Sequence, residues 1–138
     1  MSLKQISVFL ENRTGQLAEI TSILAENDID LRALHISETS DYGILRLIVA
    51  EWERAEKILR EQNVIVSLSS VVVVSVPDKP GGLSSLVKVL SDNNIDISYM
   101  YSVFGKHNGG ANMIFKVADV ENVEKILKDN GFITDTLD

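Results

Sequence analysis

Two segments of this chain share one pattern: residues 8–30 read VFLENRTGQLAEITSILAENDID, and residues 74–96 read VSVPDKPGGLSSLVKVLSDNNID. A shift of 66 residues places Gly15 on Gly81, and it aligns the closing Asn-x-Ile-Asp of the two segments. Further along, a shift of 68 residues aligns the later parts of the two halves, where both contain Glu-Lys-Ile-Leu. Because the matches recur in the same order, the sequence predicts two copies of one unit.

Both copies show the periodicities of strand, helix, strand, strand, helix and strand, in that order. Strands are indicated by two-residue alternation or short apolar runs, and helices by apolar residues three or four apart. The predicted strands cover residues 6–10, 29–37, 43–49 and 64–68 in the first copy, and 71–76, 95–104, 112–117 and 132–134 in the second. This order predicts an α+β fold of two ferredoxin-like βαββαβ units, each a four-stranded antiparallel sheet with two helices on one face. The predicted domains are residues 1–69 and residues 70–138.

Residues at the boundaries of these elements carry recognisable signals. We expect the side-chain oxygens of Thr14 and Asp78 to cap the first helix of each copy. Pro80 is expected in the first turn of the second copy's helix, because its fixed φ suits that position. Turn-forming residues at 39–41 and 105–110 predict hairpins between the second and third strands.

The third strand of the first copy is apolar on both faces. Leu45 and Leu47 face one side, whereas Ile44 and Ile48 face the other. Because the helices cover only one face of the sheet, the other face is expected to need a partner. Units this small also gain little stability from a core of their own. We therefore expect the two halves, or two chains in a homodimer, to extend or stack their sheets.

The composition excludes several classes of function. The chain has 138 residues, with 13 Lys and Arg against 20 Asp and Glu, a formal net charge of -7 and no Cys. Nucleic acid and anionic membranes are unfavourable partners for such a charge, because their binding depends on clustered Lys and Arg. The lack of Cys removes disulfides, thiolate metal sites and cysteine nucleophiles. With no secretion signal and no long apolar run, we expect a cytoplasmic protein.

Motifs for catalysis and for metal binding are absent from the sequence. His35 and His107 lie in different copies, with no spacing that suggests a metal site, so we expect neither metal nor cofactor. There is no nucleophile motif and no pair of carboxylates with an evident pocket, so we expect no catalysis. Tyr99 and Tyr101 share one face of a predicted strand, where they could contact a ligand or simply be buried.

A strand that turns through Gly into a helix has a defined chemistry. The amides of the first helical turn have no intrahelical partner and lie at the positive end of the helix dipole. They can therefore receive a carboxylate. An α-amino acid also carries an ammonium group, for which side-chain oxygens are expected near the same ends of the elements, from Asn12, Asp78, Asp30 and Asp96.

The two glycine turns resemble the opening of ACT domains, the small regulatory modules that bind amino acids. The resemblance rests on residues 11–17 and 77–83, each followed by a helical stripe and the Asn-x-Ile-Asp ending. The second copy is closer to the Asp-x-Pro-Gly loop of the family, because Thr14 replaces the usual Pro in the first. The resemblance covers nearly the whole chain, and we expect tandem copies without an attached catalytic domain.

This resemblance implies a stand-alone tandem ACT regulatory protein that binds a free amino acid at interfaces between domains. The signal would pass to a regulated enzyme or another protein. The contact residues that the resemblance implies are Asn12, Arg13, Gly15, Gln16, Leu17 and Asp30 in the first copy, and Asp78, Pro80, Gly81, Gly82, Leu83 and Asp96 in the second. Because both Pro residues of the chain lie in the second copy's loop, we expect that loop to supply the stronger site.

Other interpretations of the same residues stay open. Thr14 and Asp78 could serve only as helix caps, and the two turn glycines could be purely structural. The Asp residues that open the second strands could be solvated turn carboxylates. The alternative functions are a regulator that binds only other proteins and, less favoured, a small enzyme on a ferredoxin-like fold.

Overall fold

The computed structural model of the protein describes residues 3–11, 14–38, 42–103 and 110–134. Within these ranges the chain forms four helices and seven strands. The elements are β1 (Leu3–Glu11), α1 (Gln16–Glu26), β2 (Leu31–Glu38), β3 (Tyr42–Val49), α2 (Trp52–Glu61), β4 (Val66–Pro77), α3 (Gly82–Asp92), β5 (Tyr99–Ser102), β6 (Gly110–Lys116), α4 (Val120–Asp129) and β7 (Ile133–Thr134). The chain divides into an N-terminal unit, residues 4–69, and a C-terminal unit, residues 70–138 with Leu3.

Each unit contains an antiparallel sheet whose strand order is fourth, first, third, second. In the N-terminal unit the order is β4-β1-β3-β2, and in the C-terminal unit it is β7-β4-β6-β5. This is the strand order of the ferredoxin-like βαββαβ unit. The predicted fold class is therefore confirmed in both halves of the chain.

Each unit has its own hydrophobic core between the helices and one face of the sheet. In the N-terminal unit the alternating Ile6 and Val8 of β1 are fully buried against Ile20 and Leu24 of α1. In the C-terminal unit the corresponding buried residues are Val72 and Val74 of β4, with Leu86 and Leu90 of α3. Full burial of such side chains is worth roughly 1.5–3 kcal/mol each. The two-residue and helical periodicities of the sequence therefore identified both cores.

One strand is shared between the two units. The sequence predicted separate strands at residues 64–68 and 71–76, but β4 runs without interruption from Val66 to Pro77. The prediction of two strands was wrong because Ser69 and Ser70 fit an extended backbone and neither Gly nor Pro interrupts them.

All four described helices end in the same way. The residue that follows the C-terminal cap has a left-handed backbone in each case; these residues are Asp28 (φ 58°), Asn63 (φ 63°), Asn94 (φ 57°) and Gly131 (φ 84°). The next residue is apolar, and its N–H donates to a leucine carbonyl five positions earlier. These bonds run from Ile29 to Leu24, Val64 to Leu59, Ile95 to Leu90 and Phe132 to Leu127, at 2.9–3.0 Å. Such a closure satisfies carbonyl groups that a helix end otherwise leaves unpaired.

This closure explains why two strands are shorter than predicted. Ile29 and Ile95 belong to the helix ends, so β2 begins only at Leu31 and β5 only at Tyr99. The predicted strand over residues 95–104 is correct only for residues 99–102. Of the predicted hairpin turns at residues 39–41 and 105–110, only Gly110 lies within the described residues, and it begins β6. The strands on either side of each turn pair in antiparallel fashion, β2 with β3 and β5 with β6.

Among the described residues, no helix is long and apolar enough to cross a membrane.

Candidate functional site

The two glycine turns have nearly identical backbone geometry. Gly15 precedes α1 with φ 92°, and Gly81 precedes α3 with φ 89°, so both lie in the left-handed region that favours glycine. Neither helix has a side-chain hydrogen bond at its N-cap. Glycine, and not Thr14 or Asp78, occupies the N-cap position of the two helices. Pro80 also lies outside the helix, since α3 begins at Gly82.

The first backbone amides of both helices have no acceptor within their own helix. The first intrahelical bond of α1 runs from the N–H of Glu19 to the carbonyl of Gly15, and that of α3 from Ser85 to Gly81, both at 3.0 Å. The amides of Leu17 and Ala18 in α1, and those of Leu83 and Ser84 in α3, have no acceptor within the helix. These amides lie at the positive end of the helix dipole, where a carboxylate is stabilised.

Hydrogen bonds within the described residues connect the ends of each turn. In the first, the backbone N–H of Glu11 donates to the side-chain Oε1 of Gln16 at 2.6 Å. In the second, the N–H of Lys79 donates to the carbonyl of Pro77 at 2.9 Å, and the N–H of Gly82 donates to the carbonyl of Lys79 at 3.0 Å.

Most predicted contact residues of the two turns are accessible. Gly15 and Leu17 in the first turn are exposed, and Gln16 is half-buried. In the second turn the exposed residues are Asp78, Pro80, Gly81 and Leu83, whereas Gly82 is buried. Asn12 and Arg13 lie outside the described residues.

The predicted strand-start residue of the N-terminal unit lies far from the turn of the same unit. Glu11, which ends β1, pairs with Tyr42 at the start of β3, whereas Leu31 pairs with Val49 at the end of β3. At about 3.3 Å per residue, these positions are roughly 20 Å apart along the strand. The expectation that Asp30 lies near the same end as the turn was therefore wrong, because α1 carries the chain back along the sheet. Asp30 is exposed, and its Oδ2 lies 3.0 Å from Nε of Arg32 in β2.

In the C-terminal unit, too, the glycine turn and the strand-start Asp lie at opposite ends of the sheet. Pro77 pairs with Gly110 at the start of β6, whereas Tyr99 pairs with Lys116 at its end. Asp96 is exposed on the Tyr99 side. It helps to line an open cavity of about 470 Å³, together with Val87, Leu90, Ser91, Asn94, Ile95 and Ile97. No single unit therefore combines a glycine turn with its own strand-start Asp.

Two aromatic side chains lie close to this strand start. The rings of Tyr99 and Tyr101 are stacked, with centroids 6.4 Å apart and an interplanar angle of 18°. Tyr101 is buried, and Tyr99 is half-buried. The sequence correctly placed the pair on one strand face.

A cavity beside α1 was not predicted from the sequence. It has a volume of about 380 Å³ and lies between α1, the end of β1 and residues 62–65. Gln16 and Glu11 both contribute to its wall. Only the packing of α1 against the turn after α2 reveals it, because residues 62–65 and residue 16 are distant in sequence. Within the described ranges, no group of three or more His, Asp or Glu residues could hold a metal ion.

The chain belongs to the ACT domain pair family, whose model matches residues 1–136. Residues from both copies thus fall within one family model.

Solved structures share the fold of this chain. A protein from Bacteroides thetaiotaomicron is 37% identical, with a TM-score of 0.90 over 97% of this chain and 92% of that chain. The ligand-free regulatory subunit of aspartate kinase from Thermus thermophilus has the same fold at 12% identity, with a TM-score of 0.66 over 95% of this chain and 94% of that one. The regulatory subunit of aspartate kinase from Thermus flavus is 15% identical, with a TM-score of 0.61 over 93% and 90% of the two chains. No curated protein matches the sequence.

Proposed function

We propose that this protein is a regulator that binds a free amino acid and signals its concentration to a partner protein, with no catalysis of its own. In this proposal residues 1–69 and 70–138 each act as one ACT domain. The supporting observation is the repeated turn, in which a left-handed glycine starts a helix and leaves first-turn amides without intrahelical partners.

The amino acid would be bound through its backbone groups. Its carboxylate would accept hydrogen bonds from the first-turn amides that follow Gly82, and Leu83 and Pro80 would contact its aliphatic atoms. The carboxylate of Asp78, or the amide oxygen of Asn12 in the first copy, would face the ammonium group. The first-copy residues Arg13, Gly15, Gln16 and Leu17 would form a second, weaker site.

The strand-start residues Asp30 and Asp96 need a different partner turn. Each lies at the opposite end of its unit from that unit's own glycine turn. A site that uses both features would therefore combine the turn of one ACT domain with the strand start of another, in the same chain or in a second copy. We include a homodimer in the proposal for this reason.

The output would be a change in shape or association. A ligand shifts an equilibrium only through its different affinities for the two states, so the bound amino acid must favour one arrangement of domains. The surface presented by that arrangement would be recognised by a regulated enzyme or another protein in the cytoplasm.

Calorimetric titration with each of the twenty amino acids tests the residue assignment. We expect one amino acid to bind the parent protein, and Asp78→Ala and Gly81→Val to weaken that binding while the fold is retained. Lys57→Ala, at an exposed position on α2, is the control and should bind as the parent does. Unchanged binding by both turn variants would contradict the assignment. Binding of no amino acid would favour the protein-binding regulator.

A further inference from the structure

Apolar side chains form a patch on the N-terminal sheet, on the face opposite its helices. Phe9 alternates with the core residues Val8 and Leu10 and is 40% exposed. Ile65, whose carbonyl accepts the N–H of Phe9 at 3.0 Å, is 68% exposed. The Phe9 ring stacks on that of Tyr42, with centroids 4.9 Å apart. We call this surface the outer face of the N-terminal unit; its apolar members are Phe9, Tyr42, Ile44 and Ile65. Contiguous exposed apolar groups mark an interaction site.

The outer face contains an open depression of about 220 Å³. Ser7 and Ser67 lie in it, among the larger Phe9, Ile44 and Ile65. Because serine side chains are short, they leave a gap between bulky neighbours, and most residues that border the gap are apolar. Apolar side chains of a partner can fill this gap and displace water from it.

One cation and one anion lie on opposite sides of the apolar row formed by Phe9 and Ile44. These two residues pair with each other in the register of β1 and β3. Arg46 lies two residues from Ile44 along β3, and Glu11 lies two residues from Phe9 along β1, in opposite directions along the sheet. Each charge is therefore about 7 Å from the row, on the same face of the sheet. The two charges cancel, so the outer face does not add to the repulsion between chains of net charge -7.

The guanidinium group of Arg46 is held on the outer face by a hydrogen bond. Its Nη1 donates to Oγ of Ser37 at 2.9 Å, and Ser37 pairs with Ile44 across β2 and β3. A guanidinium group has five N–H donors, so it can keep this bond and bind a carboxylate as well.

We propose that the outer face of the N-terminal unit binds the same face of a second copy of this chain, with a two-fold axis along the row of Phe9 and Ile44. A rotation about that axis exchanges the two sides of the row, so Arg46 of each copy faces Glu11 of the other. Sheets that pack face to face are about 10 Å apart, a gap that an arginine and a glutamate side chain span together. The arrangement of charge on the page is thus complementary to itself, which favours a second copy over an unrelated protein. This inference goes beyond the proposed function, because it requires no bound amino acid.

Sedimentation equilibrium of the full chain, without ligand and from about 1 to 100 μM, tests the charge contact. We expect the parent chain to form a dimer. Arg46→Glu and Glu11→Arg should each raise the dimer Kd at least about tenfold, because the two-fold axis makes each reversal place like charges together twice. The double variant restores opposite charges and should return the Kd to within about threefold of the parent value. Lys57→Glu, a charge reversal at an exposed position on α2, is the control and should not change the Kd.

A second pair of variants tests the apolar contact. Ile65→Asp should raise the dimer Kd at least about tenfold, because a carboxylate would be buried in the interface. Ile133→Asp makes the same change at an isoleucine of β7 that is 53% exposed, and it should leave the dimer intact. Circular dichroism checks that each variant is folded.

Four results would overturn the inference. These are a parent chain that stays monomeric at about 100 μM, a dimer that Ile65→Asp does not weaken, a dimer that neither charge reversal weakens, and a double variant that associates no better than the single ones. A monomeric parent would leave the outer face to a different protein. None of these measurements contains an amino acid, so failure of the proposed amino-acid binding is detected separately, by the calorimetric titration.

Discussion

Gly82 lies so close to Pro77 that a Cβ atom at position 82 would collide with the Pro77 carbonyl oxygen. The start of α3 is thereby placed directly on the end of β4, with only residues 78–81 between them. The neighbouring Gly81 is required for a different reason, because its φ is 89° although a Cβ atom there would meet no other atom within 4 Å. Two adjacent glycines thus serve one turn through separate physical constraints.

Alanine substitutions should separate these two constraints. We expect Gly81→Ala to lower the free energy of unfolding by about 1–2 kcal/mol, the cost of a left-handed backbone with a Cβ. Gly82→Ala should cost about 3 kcal/mol, because backbone must move to admit the new atom. Chemical denaturation measures both. A neutral or stabilising Gly82→Ala, as helix propensity alone would give, would contradict the close approach.

Arg54 should stabilise the N-terminal unit through the end of α1. Its Nη1 donates to the carbonyl of Asn27 at 2.6 Å, where a cation is favourable at the C-terminal end of a helix. Because the side chain is partly exposed, we expect Arg54→Ala to cost only about 1 kcal/mol in denaturant unfolding. Lys57→Ala on the same helix is the control. Equal effects from the two variants would show that the contact contributes nothing specific.

The free energy of unfolding should depend on whether glycine occupies the left-handed position after a helix. Asn63 and Gly131 occupy equivalent places after α2 and α4, with φ of 63° and 84°. Asn63→Gly should raise the free energy of unfolding by a few tenths to about 1 kcal/mol, and Gly131→Ala should lower it by about 1 kcal/mol. Thermal unfolding of both variants checks the signs. A destabilising Asn63→Gly would argue that its side chain, and not its backbone, matters there.

Alanine substitution of the N-cap residue should destabilise the protein more at α4 than at α2. Asp119 accepts a hydrogen bond from the N–H of Asn122 at 3.2 Å, whereas the N-cap of α2, Glu51, makes no such bond. Asp119→Ala should therefore cost about 1 kcal/mol, and Glu51→Ala less than about 0.5 kcal/mol. The reverse order in urea denaturation would contradict this assignment of the caps.

Much of the fold followed from the sequence because periodicity and repetition are local signals. The alternation of Ile6 and Val8 and the helical spacing of Leu86 and Leu90 placed both cores correctly. The errors lay at the boundaries between helices and strands, which are set by the hydrogen bonds that end each helix. Ile95 looked like the start of a strand, but its N–H bonds back to Leu90 and ends α3.

The candidate site was less predictable than the fold. The turn glycines were recognisable, because a left-handed residue before a helix favours Gly. The separation of Asp30 from its own turn depends on strand register, and the bond from Glu11 to Gln16 depends on where a side chain points. Neither follows from spacing along the chain.

Thermal unfolding of the full chain with each of the twenty amino acids at millimolar concentration is the most direct test of amino-acid binding. A ligand present at 100 times its Kd stabilises the folded protein by roughly 2.7 kcal/mol. We predict that at least one amino acid raises the unfolding midpoint by several degrees, and that Gly81→Val abolishes the rise. Midpoints that stay unchanged with all twenty amino acids would contradict the proposed function.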